Sequence, residues 1–445
     1  MNIPLDRLYH YIQDIAQEIY GDRVIIYRFW PHGSKNINDL NHLHESGQWL
    51  EKTLYPQIWC NDQEPLDHEF YRTNQRPRTA NPWRAALDIL DQPLVYRNSR
   101  LNLDYNLNYN PDNIFEKSLL LHSEKRSSDL EKYLLDDKLI PVYYWSHAVI
   151  ARDWFRYAEH VTQRKQVDRI FLIYNRAWNN TREYRLRFAE LLVILGLQDS
   201  CRTSVNPVEP ELGIHYDSHT FKNPAWRPRT VLENFFPINN IPSHYSADFD
   251  IKDYEATDIE VVLETLFDDG RLHLTEKSLR PIAVGQPFIF AGTHGSLEYL
   301  HNYGFKTFNS VWDESYDTIE DPEQRLSAIA DLMNQIKHWL PHVREQKIVE
   351  AREIASYNKK YFFSQEFFDL VVNELKINLT STFNTLAHCN NFNEWKNQWK
   401  QLLSHVPVRK FLQTNQDINF PRQCDLDFIL NLIDNKIDHV SRTDL

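Results

Sequence analysis

The chain has 445 residues, 42% of them hydrophobic and 13% aromatic, and this length exceeds what one hydrophobic core usually organises. Its formal net charge of −13 argues against a broad nucleic-acid footprint or an anionic membrane surface as the main partner. The four cysteines are scattered without CxxC spacing, so neither a zinc site nor a disulfide framework is indicated.

The sequence pattern predicts neither a membrane span nor an N-terminal export signal. No apolar run approaches the ~18 residues of a membrane span, and the N-terminal segment resembles an acidic amphipathic helix rather than a signal peptide. We therefore expect a folded globular protein of the cytoplasm with no membrane span.

In the first half of the chain, short apolar runs alternate with polar turns and helical segments. Such alternation is typical of βα units on a parallel sheet, so a first α/β domain is predicted at 1–160. Residues 72–112, rich in Asn, Arg and Pro, form an irregular excursion without an assigned structure. The predicted strands are VIIYRFW (24–30), IWC (58–60), SLLLHSE (118–124) and PVYYWSH (141–147).

A polar linker at 160–168 leads to a second α/β domain, predicted at 168–335. This domain opens with a strand and a helix whose apolar residues recur at helical spacing. From 336 to 445 the pattern is helical. The later strands are predicted at 244–250, 272–275 (LHLT) and 287–292 (PFIFAG), while IEVVLET (259–265) fits a strand or a helix.

Half of the ten glycines lie between Gly270 and Gly304. The pattern there predicts a helix opening at Thr275, a tight turn at Gly285, a buried strand, and a second helix after Gly295 and Ser296. Two helix N-termini would then meet at the carboxyl edge of a parallel sheet, where backbone N–H groups and the helix dipole favour an anion.

The residues Thr275, Glu276 and Lys277 open the first of these helices. The ammonium group suits a phosphate, and the carboxylate can accept hydrogen bonds from ribose hydroxyls, so the segment favours a nucleotide diphosphate. The alternative interpretation is an ordinary threonine N-cap with a favourable first-turn glutamate, the glycines serving only as turns.

A second candidate group lies at the start of the second domain, around its first strand, loop and helix. Arginine forks near a helix N-terminus bind phosphate in bidentate geometry, and this loop would share the sheet edge with Thr275. The alternative is a solvated basic face paired with Glu183 and Glu190. The candidate residues are Asn175, Arg176, Arg182 and Arg185, with Arg187 nearby.

Acidic residues crowd the turn after the predicted strand IWC. A carboxylate at a strand end can act as general base if burial raises its pKa, and Asp62 or Glu64 is better placed than Asp67. Alternatively, Asp62 caps a turn and the other acids are solvated. Histidines lie at the ends of several predicted strands, and such histidines are more often structural than catalytic. These are His32, His122 and His147.

Two segments, YNRAWNNTREYRLRF and HLTEKSLRPIAVGQPFIFAG, carry a family resemblance. Together they resemble the nucleotide-binding half of GT-B glycosyltransferases, particularly the fucosyltransferase-like group. Over about residues 55–335 the chain also resembles a group of tailed-phage proteins regarded as glycosyltransferases. That second resemblance rests on NDQEPL, WSHAVIARDWFRYAE, YNRAW, TREYRLRF, LTEKSLRPIAVGQPFI, GSLEYLHNYGFKTF and WDESYD.

The resemblance implies a GT-B-like architecture of two facing Rossmann-like domains, to which the C-terminal helical region is added. It implies that Arg182 and Lys277 contact the diphosphate of a nucleotide-sugar and that Glu276 contacts its ribose. The general base would be a first-domain carboxylate, for which Glu64 is the first choice and Asp62 the substitute. It also implies inversion at the anomeric carbon. No carboxylate pair is spaced for a cation, so we expect no metal and no cofactor beyond the donor.

The expected activity is hexosyl or pentosyl transfer from a nucleotide diphosphate to an acceptor hydroxyl. Candidate acceptors are a modified base of phage DNA, a lipopolysaccharide or a protein, and a phage enzyme would work in the host cytoplasm. The alternative from another class is a non-catalytic structural or interaction protein of a virion that keeps the fold.

Overall fold

The computed structural model describes residues 12, 25–28, 57–61, 64–68, 118–136, 140–209, 212–230, 232 and 249–388. Among them, His147–Leu370 form one compact unit, called here the central unit. The described residues before His147 form a second compact unit with those from Val371 onward, called here the outer unit. Each is an α/β unit with a parallel sheet.

The described part of the outer unit contains four parallel strands, in the order β1-β2-β3-β4. Each coincides with a strand predicted from its apolar run. A helix connects β3 to β4, which pair in the register Leu119 to Ile140. The bounds are β1 Ile25–Arg28, β2 Gln57–Cys60, β3 Ser118–His122, α1 Asp129–Asp136 and β4 Ile140–Tyr143.

The central unit begins within the helix α2, Ser146–Trp154, and not at the predicted linker 160–168. The reason lies in the contacts of this helix. The buried guanidinium of Arg152 donates to the carbonyl oxygens of Phe363 and Ser364 at 3.1 and 3.0 Å, and it also donates to Phe362 O. The helix is therefore fixed to the later part of the chain.

Within the described residues, the central sheet is parallel and ordered β10-β9-β5-β6, and a small antiparallel hairpin pairs β7 with β8. The described strands of the central unit are β5 Arg169–Ile173, β6 Cys201–Thr203, β7 Val208–Glu209, β8 Ile214–His215, β9 Thr257–Leu263 and β10 Phe288–Ala291. Its further helices are α3 Tyr184–Ile194, α4 Ile251–Glu255, α5 Glu276–Val284, α6 Ser296–Asn302, α7 Pro322–Lys337 and α8 Pro341–Phe362.

The C-terminal region is helical as far as it is described, through α8 and then α9, Gln365–His388. No helix in this described portion of the chain has the length and apolar character needed to cross a membrane. Residues 389–445, and with them the rest of the predicted helical region, lie outside the described residues.

The segment IEVVLET, which fitted a strand or a helix, forms β9 in the centre of the sheet. All seven residues of β9 are buried. Its β-branched side chains suit a parallel strand covered on both faces, and Asp258 and Glu260 are buried with them. Burial on both faces removes the alternation that would have identified the strand in the sequence.

One predicted strand differs in the structure, and a second lies mostly outside the described residues. The segment LHLT forms no strand beyond a single bridge residue at Leu272, because the Thr275 N–H donates to the Glu264 carboxylate at 2.8 Å and not to a neighbouring strand. Of the predicted strand 244–250, only Phe249 and Asp250 lie within the described residues. Asp250 accepts from Lys252 N at 2.9 Å and caps α4 instead.

The predicted helix, turn, strand and helix from Thr275 onward are confirmed. Thr275 is the N-cap of α5, and Gly285 ends this helix with φ of 79°, the left-handed region that glycine enters at no steric cost. The strand β10 follows and leads to α6, whose N-cap is Gly295.

The loop after α6 is organised by two half-buried or buried carboxylates. Asp317 accepts from Leu297 N at 3.0 Å, and Glu314 accepts from Phe308 N at 2.9 Å. Burial raises the pKa of Asp317 to about 6 and that of Glu314 to about 7. Trp312 in the same loop is buried and stacks on Phe308 at a centroid distance of 4.9 Å.

Replacement of Glu314 by Gln tests this arrangement. Because the folded pKa is raised from 4.5 to about 7, the folded wild type keeps a proton that the unfolded chain has released, and it loses stability as pH rises through this window. The free energy of unfolding of Glu314→Gln, relative to wild type, should therefore improve by about 1–3 kcal/mol between about pH 5 and about pH 8. Urea denaturation at both values measures this, with exposed Glu320→Gln as the control. A pH-independent difference would contradict the assignment.

Candidate functional site

Polar side chains follow three neighbouring strands of the central sheet. Asn175 comes after β5, Glu264 after β9 and Thr293 after β10, and all three are buried. Because these strands are parallel, their carboxyl ends meet at one edge, where ligands of open α/β sheets bind. We call this place the central edge.

Arg185 connects the strand ends at the central edge. Its guanidinium donates to Asn175 Oδ1 at 2.8 Å, to Ala177 O at 2.6 Å, and to Leu263 O and Glu264 O at 2.7 and 3.0 Å. The side chain is 2% exposed. Arg185 was predicted to bind the donor, but its position gives it the role of fixing Asn175 and the ends of β5 and β9.

Glu264 connects β9 to the N-terminus of α5. Its carboxylate accepts from Thr275 N and from Thr275 Oγ1 at 2.8 Å each, and from Thr265 N at 2.7 Å. Thr275, predicted to bind the donor, thus holds the helix in place with its side chain. Sequence analysis did not single out Glu264, although a carboxylate directly after an apolar strand was the available signal.

The first turn of α5 carries an ion pair. Lys277 Nζ lies 2.7 Å from Glu276 Oε1 and 3.2 Å from Thr275 Oγ1. The Glu276 side chain has no exposed surface, whereas that of Lys277 is 12% exposed. The other carboxylate oxygen of Glu276 faces His147 Nδ1 at 3.5 Å. The structure therefore brings together the two predicted α5 residues and a histidine that the sequence left as a secondary candidate.

Other polar groups at the central edge can receive a ligand. The Asn175 Nδ2 donor is buried without a hydrogen-bond partner, since only its Oδ1 is used by Arg185. Within the described chain, no carboxylate lies within ion-pair distance of Arg182, which is half-buried two residues before Tyr184. Arg176 is half-buried beside Asn175. Buried polar groups are almost always hydrogen-bonded, so a ligand that accepts from Asn175 Nδ2 would explain its missing partner.

The alternative interpretation of the arginine cluster is correct in part. Arg187 pairs with Glu190, as a structural basic face would require. Glu183 instead lies 2.9 Å from His219 Nε2 and accepts from the backbone of Lys222. Arg182 is thereby left outside both pairs.

Gly295 and Ser296 were predicted to present backbone N–H groups to a phosphate. In the structure, Asp317 occupies that position: its backbone carbonyl accepts from Gly295 N at 2.8 Å, and its carboxylate accepts from Leu297 N. The Ser296 hydroxyl donates to Thr293 O at 2.5 Å. The N-terminus of α6 is therefore capped from within the chain, and we leave both residues out of the site proposed below.

Comparisons with protein-family models, with curated proteins and with solved structures found no match.

The carboxyl edge of the outer sheet holds the candidate base. Glu64 is half-buried just beyond β2, while Asp62 lies outside the described residues. Asn61 donates its N–H to Leu121 O at 3.0 Å, and the Leu66 N–H donates to buried Glu124 at 3.3 Å. These contacts hold the segment that carries Glu64 against the end of β3.

Sequence analysis missed a lysine at this outer edge. Lys125 is buried, and its Nζ lies 4.7 Å from the centre of the Tyr143 ring. Burial lowers its pKa to about 8, although the nearby Glu374 carboxylate opposes the shift. Glu374 also accepts from Trp145 N at 3.2 Å. Within the described residues, no group of three His, Cys, Asp or Glu side chains is placed to hold a metal ion.

The role of Arg185 predicts a large loss of stability on substitution. Arg185→Gln leaves buried carbonyl oxygens without donors, and breaking such a buried charged network typically costs about 3–5 kcal/mol. Urea denaturation measures this cost. Arg169→Gln, at an exposed position of β5, is the matched control and should stay within about 0.5 kcal/mol of wild type. A small loss for Arg185→Gln would show that its contacts do not hold the central edge.

Proposed function

We propose that this protein is a glycosyltransferase that transfers a hexose or pentose from a nucleotide diphosphate donor to an acceptor hydroxyl. The observation that carries the proposal is the set of groups at the central edge. Within the described residues, Arg182 has no carboxylate partner and the buried Asn175 Nδ2 has no hydrogen-bond partner, and Lys277 lies on the first turn of α5. Two cations and a buried donor at the carboxyl end of a parallel sheet suit a diphosphate.

The same groups suit the chemistry of the leaving diphosphate. As the glycosidic bond breaks, negative charge grows on the diphosphate, and fixed cations and helix dipoles stabilise it. Arg182, Lys277 and the N-terminus of α5 supply this charge from the protein, so the proposed reaction needs no metal ion. Glu276 is proposed to accept from the ribose, as the resemblance to GT-B enzymes implies.

The proposed general base belongs to the outer unit. Glu64 is the first choice, since it is half-buried at the end of a parallel strand, and Asp62 is the substitute. The base takes the proton from the acceptor hydroxyl as the sugar is transferred with inversion. A GT-B-like arrangement of the two units is part of this proposal.

The acceptor class follows from the resemblance to phage proteins and not from the geometry. A modified base of phage DNA is the first candidate, with lipopolysaccharide and protein as others, and the host cytoplasm is the proposed location. A local cleft would have to overcome the net charge of −13 for DNA to bind.

Nucleotide binding provides the first test. In a thermal-shift panel of the common nucleoside diphosphates, at least one should stabilise the protein at millimolar concentration. With that nucleotide, Lys277→Ala and Arg182→Ala should each weaken binding by about 1.5–3 kcal/mol, the value of a charge-assisted hydrogen bond, in calorimetric titrations.

The matched controls are exposed Lys252→Ala on α4 and Arg187→Ala, whose partner is Glu190. Both should keep the wild-type affinity. Unchanged affinity in Lys277→Ala and in Arg182→Ala would remove the central edge as the donor site. A panel without any stabilising nucleotide would favour the non-catalytic structural or interaction protein.

The catalytic base provides a second test. Glu64→Gln should keep the fold and the donor affinity but slow the release of nucleoside diphosphate from the nucleotide-sugar by about 100- to 10,000-fold, the range for loss of acid–base catalysis. Asp62→Asn is the paired variant, and exposed Asp67→Asn is the control. Activity lost only in Asp62→Asn would assign the base to Asp62. Full activity in both would place the base elsewhere, with His147 and His32 next.

A further inference from the structure

His147 lies beside Glu276 inside the central unit, and neither side chain has exposed surface. His147 Nδ1 is 3.5 Å from Glu276 Oε2, which is within ion-pair distance but longer than an ordinary hydrogen bond. The other oxygen, Oε1, accepts from Lys277 Nζ at 2.7 Å. The two oxygens of one buried carboxylate therefore face two different basic side chains.

A second histidine supports the first. The His273 ring lies edge-on to the His147 ring, with their centroids 5.2 Å apart, and it is 2% exposed. It comes from the extended segment that leads into α5. Among the charged and titratable groups near His147 are therefore Glu276, its partner Lys277, and His273.

The burial of Glu276 limits how a ligand can reach it. The carboxylate has no exposed surface, so a ribose hydroxyl can reach it only if a neighbouring group moves, and Lys277 Nζ is bonded to its Oε1. A diphosphate at the N-terminus of α5 offers the ammonium a more highly charged partner. Transfer of Lys277 to the diphosphate would free Oε1 and remove one cation from a buried carboxylate, which is costly unless its remaining contacts hold it.

We propose that His147 is a positioning residue that holds Oε2 of Glu276 while Lys277 moves from Oε1 to the donor diphosphate. Oε1 then accepts a hydrogen bond from the ribose. His147 thereby sets the preference of the site for ribonucleotides over 2′-deoxyribonucleotides. This step rests on the proposed function, since it requires a nucleotide diphosphate at the central edge.

The experiment compares affinities for a ribonucleoside diphosphate and its 2′-deoxy form by calorimetry, using the nucleotide that the thermal-shift panel identifies. Wild type should bind the ribo form about ten- to hundredfold more tightly, the range of one charge-assisted hydrogen bond. His147→Leu should lose most of this ratio through weaker binding of the ribo form. His147→Asn should retain most of it, because its amide nitrogen lies near the place of Nδ1.

Tyr254→Phe is the control for a purely structural effect. It removes the 2.6 Å hydrogen bond from the Tyr254 hydroxyl to Glu260, a buried carboxylate that also pairs with Arg280 of α5. This change should lower stability and leave the ribo to deoxy ratio unaltered. A ratio is a suitable readout because a general weakening of the fold lowers both affinities alike.

The outcomes separate the two proposals. Wild type that binds no nucleoside diphosphate refutes the proposed function and this step with it. Wild type that binds both forms equally overturns the ribose contact and leaves diphosphate binding standing. A wild-type ratio in folded His147→Leu overturns the role of His147. If that variant does not fold, His147→Gln replaces it, since its amide lies near the place of Nε2, and an unaltered ratio there has the same consequence.

Discussion

A buried arginine determines the shape of the central edge. Arg185 lies inside the central unit, where an unpaired charge would be very costly. Its guanidinium donates to Asn175 and Ala177 in the loop after β5 and to the carbonyls of Leu263 and Glu264 at the end of β9. Because these acceptors lie at the end of β9 and in the loop after β5, the positions of the two segments depend on one another. The buried amide of Asn175 owes its orientation to this constraint.

Buried carboxylates complete the arrangement by binding loop backbone. Glu264 accepts a hydrogen bond from Thr275 N at the start of α5, and Asp317 accepts one from Leu297 N at the start of α6. Glu190 accepts from Arg229 N and Thr230 N at 2.5 Å each, while Glu183 accepts from Lys222 N and Asn223 N. Part of the acidic excess of the chain is therefore structural. Carboxylates bind backbone N–H groups strongly, which fixes loops that have few glycines.

This use of carboxylates distinguishes the two helix N-termini near the central edge. At α6 an acidic side chain of the same unit already occupies the end of the helix. At α5 the N-cap residue Thr275 donates to Glu264. The first turn carries Lys277, whose side chain is 12% exposed, paired with the fully buried Glu276. A ligand anion can compete for that lysine, so the proposed donor site is at α5.

The sequence by itself determined the local elements of this protein. Apolar runs followed by polar turns predicted the outer strands, and Thr275 and Gly285 marked the two ends of α5, because capping and turn preferences act within a few residues. The sequence also predicted Asn175, Arg182, Glu276 and Lys277 at one sheet edge, but it led into α5 from a strand LHLT that the structure does not form. The fully buried β9 remained ambiguous, since burial on both faces removes the periodic signal.

Only the tertiary structure decided which polar residues are bound internally. Arg182 and Arg185 lie three residues apart in similar local sequence. Arg182 is half-buried and has no carboxylate partner among the described residues, whereas Arg185 donates to the end of β9. Likewise, the contacts of Glu276 with His147 and of Asp317 with α6 join residues far apart in the chain. Such pairings depend on how strands and helices pack against one another, so residue type and spacing along the chain do not predict them.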